Sequence, residues 1–337
     1  MESILVTGGA GFSGSNFIYY MRETHPSYVI VTLDKLTYAG NLENLEGIQE
    51  GDTYYFVKGD IADRELVESI VREHHIDAII NFAAESHVDR SILGSAEFIQ
   101  TNVVGTHVLL EVARTLSVKR FLQVSTDEVY GSAPLSIKFD EETLLRPSSP
   151  YAASKAAADM LALSYQHTFG TPVVITRCSN NYGPYQFPEK LIPLMISNAL
   201  NNVPLPIYGD GLQVRDWIHV RDHCAALDIV LHSGTPGQVY NISAEEEKQN
   251  LNVVNLILKK LKKPKSLISF VKDRPGHDRR YAISAEKIRR ELGWRPGISF
   301  EEGMESTIEW YVKNKSWWEK IRSGEYRKYY RKMYEER

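Results

Sequence analysis

The run Thr7-Gly8-Gly9-Ala10-Gly11-Phe12-Ser13-Gly14 restricts what this chain can fold into more than any other stretch. It directly follows an apolar run, Ser3–Thr7, that reads as a strand, and it opens onto a helical pattern. Gly9, Gly11 and Gly14 satisfy G-x-G-x-x-G, and Gly8, Gly11 and Gly14 satisfy G-x-x-G-x-x-G equally well. Glycines at these points allow a tight turn, the approach of backbone N–H groups to a pyrophosphate, and close packing of helix on strand. Such a loop alone is a weak signal. Here Asp34 ends the second strand-like run, 20 residues beyond Gly14, where a carboxylate would bind an adenosine ribose 2′-hydroxyl. It would repel a 2′-phosphate, so NAD is the expected cofactor rather than NADP. The neighbouring Lys35 argues the other way.

The rest of the N-terminal half repeats the same rhythm. Runs at 28–34, 54–58, 78–82, 121–125 and 173–177 read as further strands, several without polar alternation, as expected for strands covered on both faces. Between them lie amphipathic stretches, among them one capped by Asp63 and others at 102–116 and 154–167. Strand and helix in alternation predict an α/β fold built on a doubly wound parallel sheet. Beyond residue 177 prolines punctuate the chain and the rhythm loosens. The expected organisation is a nucleotide-binding domain over 1–177, a return segment near 215–233, and a smaller lobe over 178–337.

Composition narrows the function classes. With 337 residues, 39 basic against 43 acidic side chains and a formal charge of −4, the chain has no global field for nucleic acid or an anionic membrane. It has no apolar run long enough to span a bilayer and no signal-peptide pattern at its start. Two cysteines, Cys178 and Cys224, in a chain this long read as reduced thiols, and a cytoplasmic location is expected.

The catalytic candidates stand beside strand ends. Tyr151 and Lys155 are four residues apart at the start of a helical pattern, on one face. An ammonium near a phenol favours the tyrosinate and would let it act as a base. Asp127 and Glu128 follow the fifth strand, where ligand crevices of open parallel sheets lie, and adjacent acids can divide into a proton donor and a base. His219 and His223 are four residues apart, but no glutamate follows His219 and no third ligand is evident. No metal site is expected.

These residues fall in strings that resemble the dTDP-glucose 4,6-dehydratase family of the extended short-chain dehydrogenase/reductases. The strings are ILVTGGAGFSGS at 4–15, DKLTYAGN at 34–41, AAESHVDRS at 83–91, STDEVYG at 125–131, SPYAASKA at 149–156, CSNNYGPYQFPEKLIPL at 178–194, LPIYGDG at 205–211, RDWIHVRDH at 215–223 and DRPGHDRRYAI at 273–283. The resemblance implies a Rossmann domain with a smaller α/β substrate lobe, a homodimer built through the helices near 102–116 and 154–168, and a set of roles. Gly8, Gly11, Phe12, Ser13, Gly14, Asp34, Lys35, Leu36, Thr37, Asp60, Ile61, Ala83, Ala84, Thr101 and Asn181, with Tyr151 and Lys155, would hold NAD. Thr126 would bind the sugar C4 oxygen, Tyr151 with Lys155 would be the oxidation base, and Asp127 and Glu128 would be acid and base for dehydration. Ser86, Asn180, Lys190, Leu191, Pro206, Ile207, Tyr208, Arg215, Asn241, Arg274 and His277 would line a sugar-nucleotide pocket. Ser13 departs from the family's usual aliphatic residue, and His219 from an aromatic. The last stretch, 316–337, lies outside the motifs and is expected to form a helical cap. A UDP-glucose 4,6-dehydratase and a nucleotide-sugar 4-epimerase stay open as alternatives at this level.

Overall fold

The computed structural model describes residues 1–322 and Tyr330. Its strands are β1 (Ser3–Thr7), β2 (Val29–Asp34), β3 (Tyr54–Lys58), β4 (Ala78–Asn81), β5 (Arg120–Thr126), β6 (Val173–Cys178), β7 (Asn180–Tyr182), β8 (Leu205–Tyr208), β9 (Val214–His219), β10 (Val239–Ile242), β11 (Glu247–Gln249) and β12 (Ile268–Val271). Seven of them form one sheet in the order β10-β6-β5-β4-β1-β2-β3, parallel throughout. Helices cover both faces, so β1, β4 and most of β5 and β6 are buried and their runs lack alternation. Strand order reverses between β1 and β4, which opens a crevice at their carboxyl ends.

Local signals set the helix boundaries. Asp63 accepts from the Leu66 N–H at 3.1 Å and starts helix Arg64–Glu73. Ser149 accepts from the Ala152 N–H at 3.1 Å, and Pro150 takes the first helical position, so the expected helix at 154–167 runs as Pro150–Phe169. That earlier start puts Tyr151 in the first turn, next to the crevice. It ends at Gly170, in the left-handed conformation. The expected helix at 102–116 is instead a π-helical turn, Ile99–Gly105, running into helix Thr106–Thr115.

The chain leaves the large sheet abruptly, because only Ser179 separates β6 from β7. β7, β9 and β11 form a second sheet, and β8 pairs with β12 in a third. Helices Leu191–Leu200, Asn250–Lys260 and Phe300–Lys313 bury a separate core with Trp217, Ile257, Met304 and Trp318. The return toward the first body differs in extent from the expected 215–233. β9 belongs to the small sheet, whereas helix Val220–Ser233 packs on helix Phe12–Thr24 and β10 adds an edge strand to the large sheet. Of the expected C-terminal cap, helix Lys315–Ile321 is described. Its Trp318 is buried, and its Trp317 indole N–H donates to Asn44 Oδ1 at 3.0 Å, tying it to the first body. Residues 323–329 and 331–337 lie outside the described residues.

Candidate active site

A cavity of about 1050 Å³ occupies the crevice beside the glycine loop. Gly8 turns the chain out of β1 with φ +68°, and a Cβ there would stand 2.7 Å from the Ala83 nitrogen. A Cβ on Gly14 would stand 2.7 Å from Gly9 Cα, so the helix can pack this closely only without one. Gly11, at the N-cap of helix Phe12–Thr24, has no side chain to cap it, and no acid lies in the first turn. The first N–H groups are thus left for an anion.

Asp34 ends β2, where its two carboxylate oxygens accept from Ala10 N–H at 2.9 Å and Leu36 N–H at 2.8 Å. Burial raises its pKa, and these two bonds oppose the rise. Lys35 pairs with Asp60 at 2.8 Å, so its ammonium is not held ready for a 2′-phosphate. Gly8, Gly11, Phe12, Ser13, Gly14, Asp34, Lys35, Thr37, Asp60, Ile61, Ala83, Ala84 and Thr101 all line this cavity. Leu36 does not; it serves through its backbone N–H. The glycine cradle, the open helix end and the buried acid fit a dinucleotide carrying a free ribose 2′-hydroxyl.

A second cavity of about 940 Å³ adjoins the first, and Gln186, Glu189 and Lys190 line both. Its wall holds Glu128, Asn180, Asn181, Lys190, Leu191, Pro206, Ile207, Tyr208, Arg215, Arg274 and His277. Asn181 was expected against the dinucleotide but lines this cavity, while Ser86 faces the first one and accepts from Lys190 Nζ at 2.9 Å. Asn241 lines neither. Its amide is spent inside the protein, accepting from the Tyr130 hydroxyl at 2.9 Å and donating to the Phe139 carbonyl at 3.2 Å.

Three cations converge here. Arg274 reaches Asp89 at 3.2 Å, Lys190 donates to the Ser86 carbonyl, and Arg215 donates to the Val214 and Asp278 carbonyls at 2.8 and 3.0 Å. The Arg215 guanidinium also lies 4.2 Å from the centre of the Tyr281 ring. Burial lowers the pKa of Lys190 and of Arg215. An anionic ligand offsets that cost, and a guanidinium fork suits phosphate oxygens.

Sequence reasoning passed over Asp89, Glu189 and Tyr281. Asp89 accepts from Tyr208 at 2.8 Å as well as pairing with Arg274, and Glu189 accepts from Arg90 at 3.1 Å between the two cavities. Asp89 and Glu189 are buried acids within AAESHVDRS and CSNNYGPYQFPEKLIPL, which is the signal that marks them.

The five side chains expected to take part in the reaction meet where β5 ends. Thr126 accepts from the Glu128 N–H at 3.2 Å and donates to Asp127 Oδ1 at 3.3 Å. Asp127 is 3% exposed, and its Oδ2 has no partner among the described residues. Burial first, then the charge of Glu128, pushes its carboxyl well above the usual range, which favours the protonated form. Glu128 instead lines the second cavity, with the Tyr281 hydroxyl 3.5 Å from its Oε2. Tyr151 and Lys155 are buried one turn apart, and Lys155 Nζ donates to the Val124 carbonyl at 2.7 Å. The lowering of the phenol expected from Lys155 is absent in the chain alone. Burial pushes Tyr151 well up and Lys155 down, and one of the ammonium's three N–H groups goes to the Val124 carbonyl. His219 and His223 are structural. His219 Nδ1 accepts from the Arg221 N–H at 3.3 Å as a helix cap, and burial lowers the two rings to about 4 and about 3.

A Rossmann crevice beside a cationic cavity, with a Tyr–Lys pair on one helix, defines an enzyme of the extended short-chain dehydrogenase/reductase class. The family model described as GDP-mannose 4,6 dehydratase matches residues 5–307. The dTDP-glucose 4,6-dehydratase of Xanthomonas campestris pv. campestris (strain B100) is 51% identical over 97% of this chain and 98% of its own length. The crystal structure of the Bacillus anthracis dTDP-glucose 4,6-dehydratase in complex with NAD is 53% identical and superposes with a TM-score of 0.90 over 95% of this chain and all of that one. A Thermotoga maritima UDP-glucose 4-epimerase with UDP-glucose has the same fold, with a TM-score of 0.86 over 93% of this chain and 99% of that one, at 29% identity. The chain belongs to the dTDP-glucose 4,6-dehydratase family.

Proposed function

We propose that this protein converts dTDP-glucose into dTDP-4-keto-6-deoxyglucose, with NAD in the glycine-loop cavity and the nucleotide sugar in the cationic one. The observation that carries the reading is the pair Asp127 and Glu128, one sealed in with its carboxyl pushed up by burial, the next open to the sugar cavity. An epimerase needs the oxidation pair but no such acid and base, so this pair speaks for dehydration.

NAD, when bound, supplies the positively charged acceptor that takes the C4 hydride and returns it to C6. Tyr151 Oη accepts the proton of the C4 hydroxyl, with Lys155 behind it, and Thr126 Oγ1 orients the C4 oxygen. The 4-ketone acidifies the C5 proton, which the Glu128 carboxylate removes. Asp127 gives its proton to the departing C6 oxygen, so water leaves and a C5–C6 double bond forms. Glu128 gives its proton back to C5 as C6 regains the hydride, which completes the 6-deoxy sugar. Arg215, Arg274 and Lys190 hold the diphosphate.

Mass spectrometry after incubation with dTDP-glucose tests the reading. The expected product is lighter by one water, with dTDP-glucose used at higher kcat/KM than UDP-glucose; an unchanged mass with an inverted C4 would overturn it. Replacing Asp127 by Asn and Glu128 by Gln together should nearly stop water loss, since each lost proton-transfer group costs about 10²–10⁴ in rate. Near-ultraviolet absorbance should still rise on adding sugar, because oxidation at C4 comes first.

The reading includes a cytoplasmic homodimer. Support for the location is two unpaired thiols; among the described residues no helix is long and apolar enough to cross a membrane. Support for the dimer is exposed apolar side chains on the neighbouring helical segments 99–115 and 150–169: Ile99, Val104, Met160 and Phe169 are open to solvent. A monomer at micromolar concentration in analytical ultracentrifugation would refute it.

A further inference from the structure

Away from both cavities, three side chains that the mechanism does not use meet at the opposite end of the glycine-loop helix. His25 is the C-cap of helix Phe12–Thr24, and its Nε2 lies 2.9 and 3.1 Å from the two carboxylate oxygens of Asp228. His232, one turn beyond Asp228 in helix Val220–Ser233, brings its Nδ1 to 2.9 Å from Asp228 Oδ1. One donor atom from each of the three lies within 4.8 Å of the other two. The imidazoles stack, with centres 5.0 Å apart, so both edges address the same carboxylate.

Two independent features suit this cluster to a cation. Both helices end here, so the carbonyl ends of two macrodipoles face the group, and each favours positive charge. The Tyr28 hydroxyl oxygen lies 2.8 Å from His232 Nε2. In the free chain Nδ1 faces two acceptors, the Asp228 carbonyl oxygen and Oδ1, each at 2.9 Å. Once an ion displaces the Nδ1 proton, Tyr28 would accept the Nε2 N–H, the outer hydrogen bond that orients metal-bound imidazoles. All three side chains remain partly open to water, with 28%, 14% and 29% of His25, Asp228 and His232 exposed, so an ion has a path in.

We propose that His25, Asp228 and His232 bind one divalent transition-metal ion, with zinc, cobalt and nickel the fitting class. Two imidazole nitrogens and one carboxylate are borderline donors, whereas magnesium and calcium call for oxygen ligands. Bonds of about 2.0–2.1 Å place tetrahedral ligands about 3.3 Å apart. Asp228 already stands near that spacing from both rings, so the two imidazoles need only close toward each other. The ion takes the place of the protons that otherwise bridge the rings to Asp228, and water fills its fourth position. None of the three residues lines either cavity. The ion is therefore a clamp that joins the tail of the glycine-loop helix to helix Val220–Ser233.

The test uses untagged full-length protein stripped with a chelator. Equilibrium dialysis against zinc should find one ion per chain whose affinity falls at least tenfold in His25→Ala and in His232→Gln. Cobalt should give the visible bands of a four-coordinate site in the wild type alone, and zinc should raise the melting temperature of the wild type but not of the variants. Water loss from dTDP-glucose by the metal-free variants should match the wild type, which shows that they fold. Should His25→Ala fail to fold, His232→Gln decides, because its amide keeps a hydrogen bond to Asp228. Wild-type protein that binds no ion below millimolar zinc, or variants that bind it unchanged, would overturn the proposal.

Discussion

Asp216 offers a direct test of the electrostatics behind the acid–base pair. It follows Arg215 in β9, is 1% exposed, and accepts from the Ser243 hydroxyl and from the Glu246 N–H at 3.0 Å. Burial pushes its carboxyl up to about 7, with the charge of Glu247 adding to the rise and Lys138 opposing it. An unfolded aspartate titrates near 3.9. Below about pH 4 both states hold the proton and the group contributes nothing to pH dependence. Between about 4 and 7 the unfolded chain has released its proton while the folded one keeps it, so rising pH favours unfolding by about 1.4 kcal/mol per unit. Over a window of about three units the loss reaches about 4 kcal/mol, and above it the slope vanishes. Asparagine cannot titrate. The unfolding free energy of Asp216→Asn, relative to wild type, should therefore climb by about 4 kcal/mol from about pH 4 to above 7 and then level off. Any fixed cost of the amide against Ser243 cancels in that slope. Urea unfolding at a series of pH values measures it. Asp216 is also one of the charges that raise Asp127, so the alkaline limb of kcat/KM should move to lower pH in the variant. Parallel stability–pH curves for the two proteins would show that Asp216 ionises as an ordinary carboxyl, and the reasoning would fail.

Three further outcomes are expected. Asp34→Ala removes a buried charge-assisted acceptor worth about 1.5–3 kcal/mol, so NAD affinity in a fluorescence titration should fall about ten- to hundredfold; retention of NADP by wild-type protein would contradict the assignment. Gly8→Ala forces a Cβ to within 2.7 Å of the Ala83 nitrogen at φ +68°, and strain of about 1–2 kcal/mol plus overpacking of about 1–3 kcal/mol should lower the urea midpoint. An unchanged midpoint would mean that the loop does not approach Ala83 so closely. Arg177→Met strands Asp159, which it contacts at 2.9 Å with both side chains buried, and should cost about 3–5 kcal/mol, much of it recovered when Asp159 is also made Leu; equal stability of the single and double variants would argue against a paired charge.

What could be read from the chain alone was local. Asp63 and Ser149 cap helices through bonds that reach three residues along, and Asp34 stands at a strand end because the run before it is apolar on both faces. The features that escaped depend on distant segments. Arg274 finds Asp89 across 185 residues and His25 finds Asp228 across 203, and no periodicity reports such meetings. Asn241 shows the reverse. It sits on a strand next to the site, yet its amide is consumed by Tyr130 and Phe139, which come from the segment that covers β10. Likewise, spacing puts Lys155 on the same face as Tyr151 but cannot foresee that the Val124 carbonyl accepts one of its three N–H groups.

The wall common to both cavities, Gln186, Glu189 and Lys190, lets whatever fills one cavity press on the lining of the other. A sugar nucleotide that settles against it also braces the side chains closing the dinucleotide crevice, so each ligand's residence depends on the other's. By thermodynamic reciprocity the help given one way is returned in equal measure. Mutual bracing of this kind would suit a reaction that hands its hydride back within the same visit.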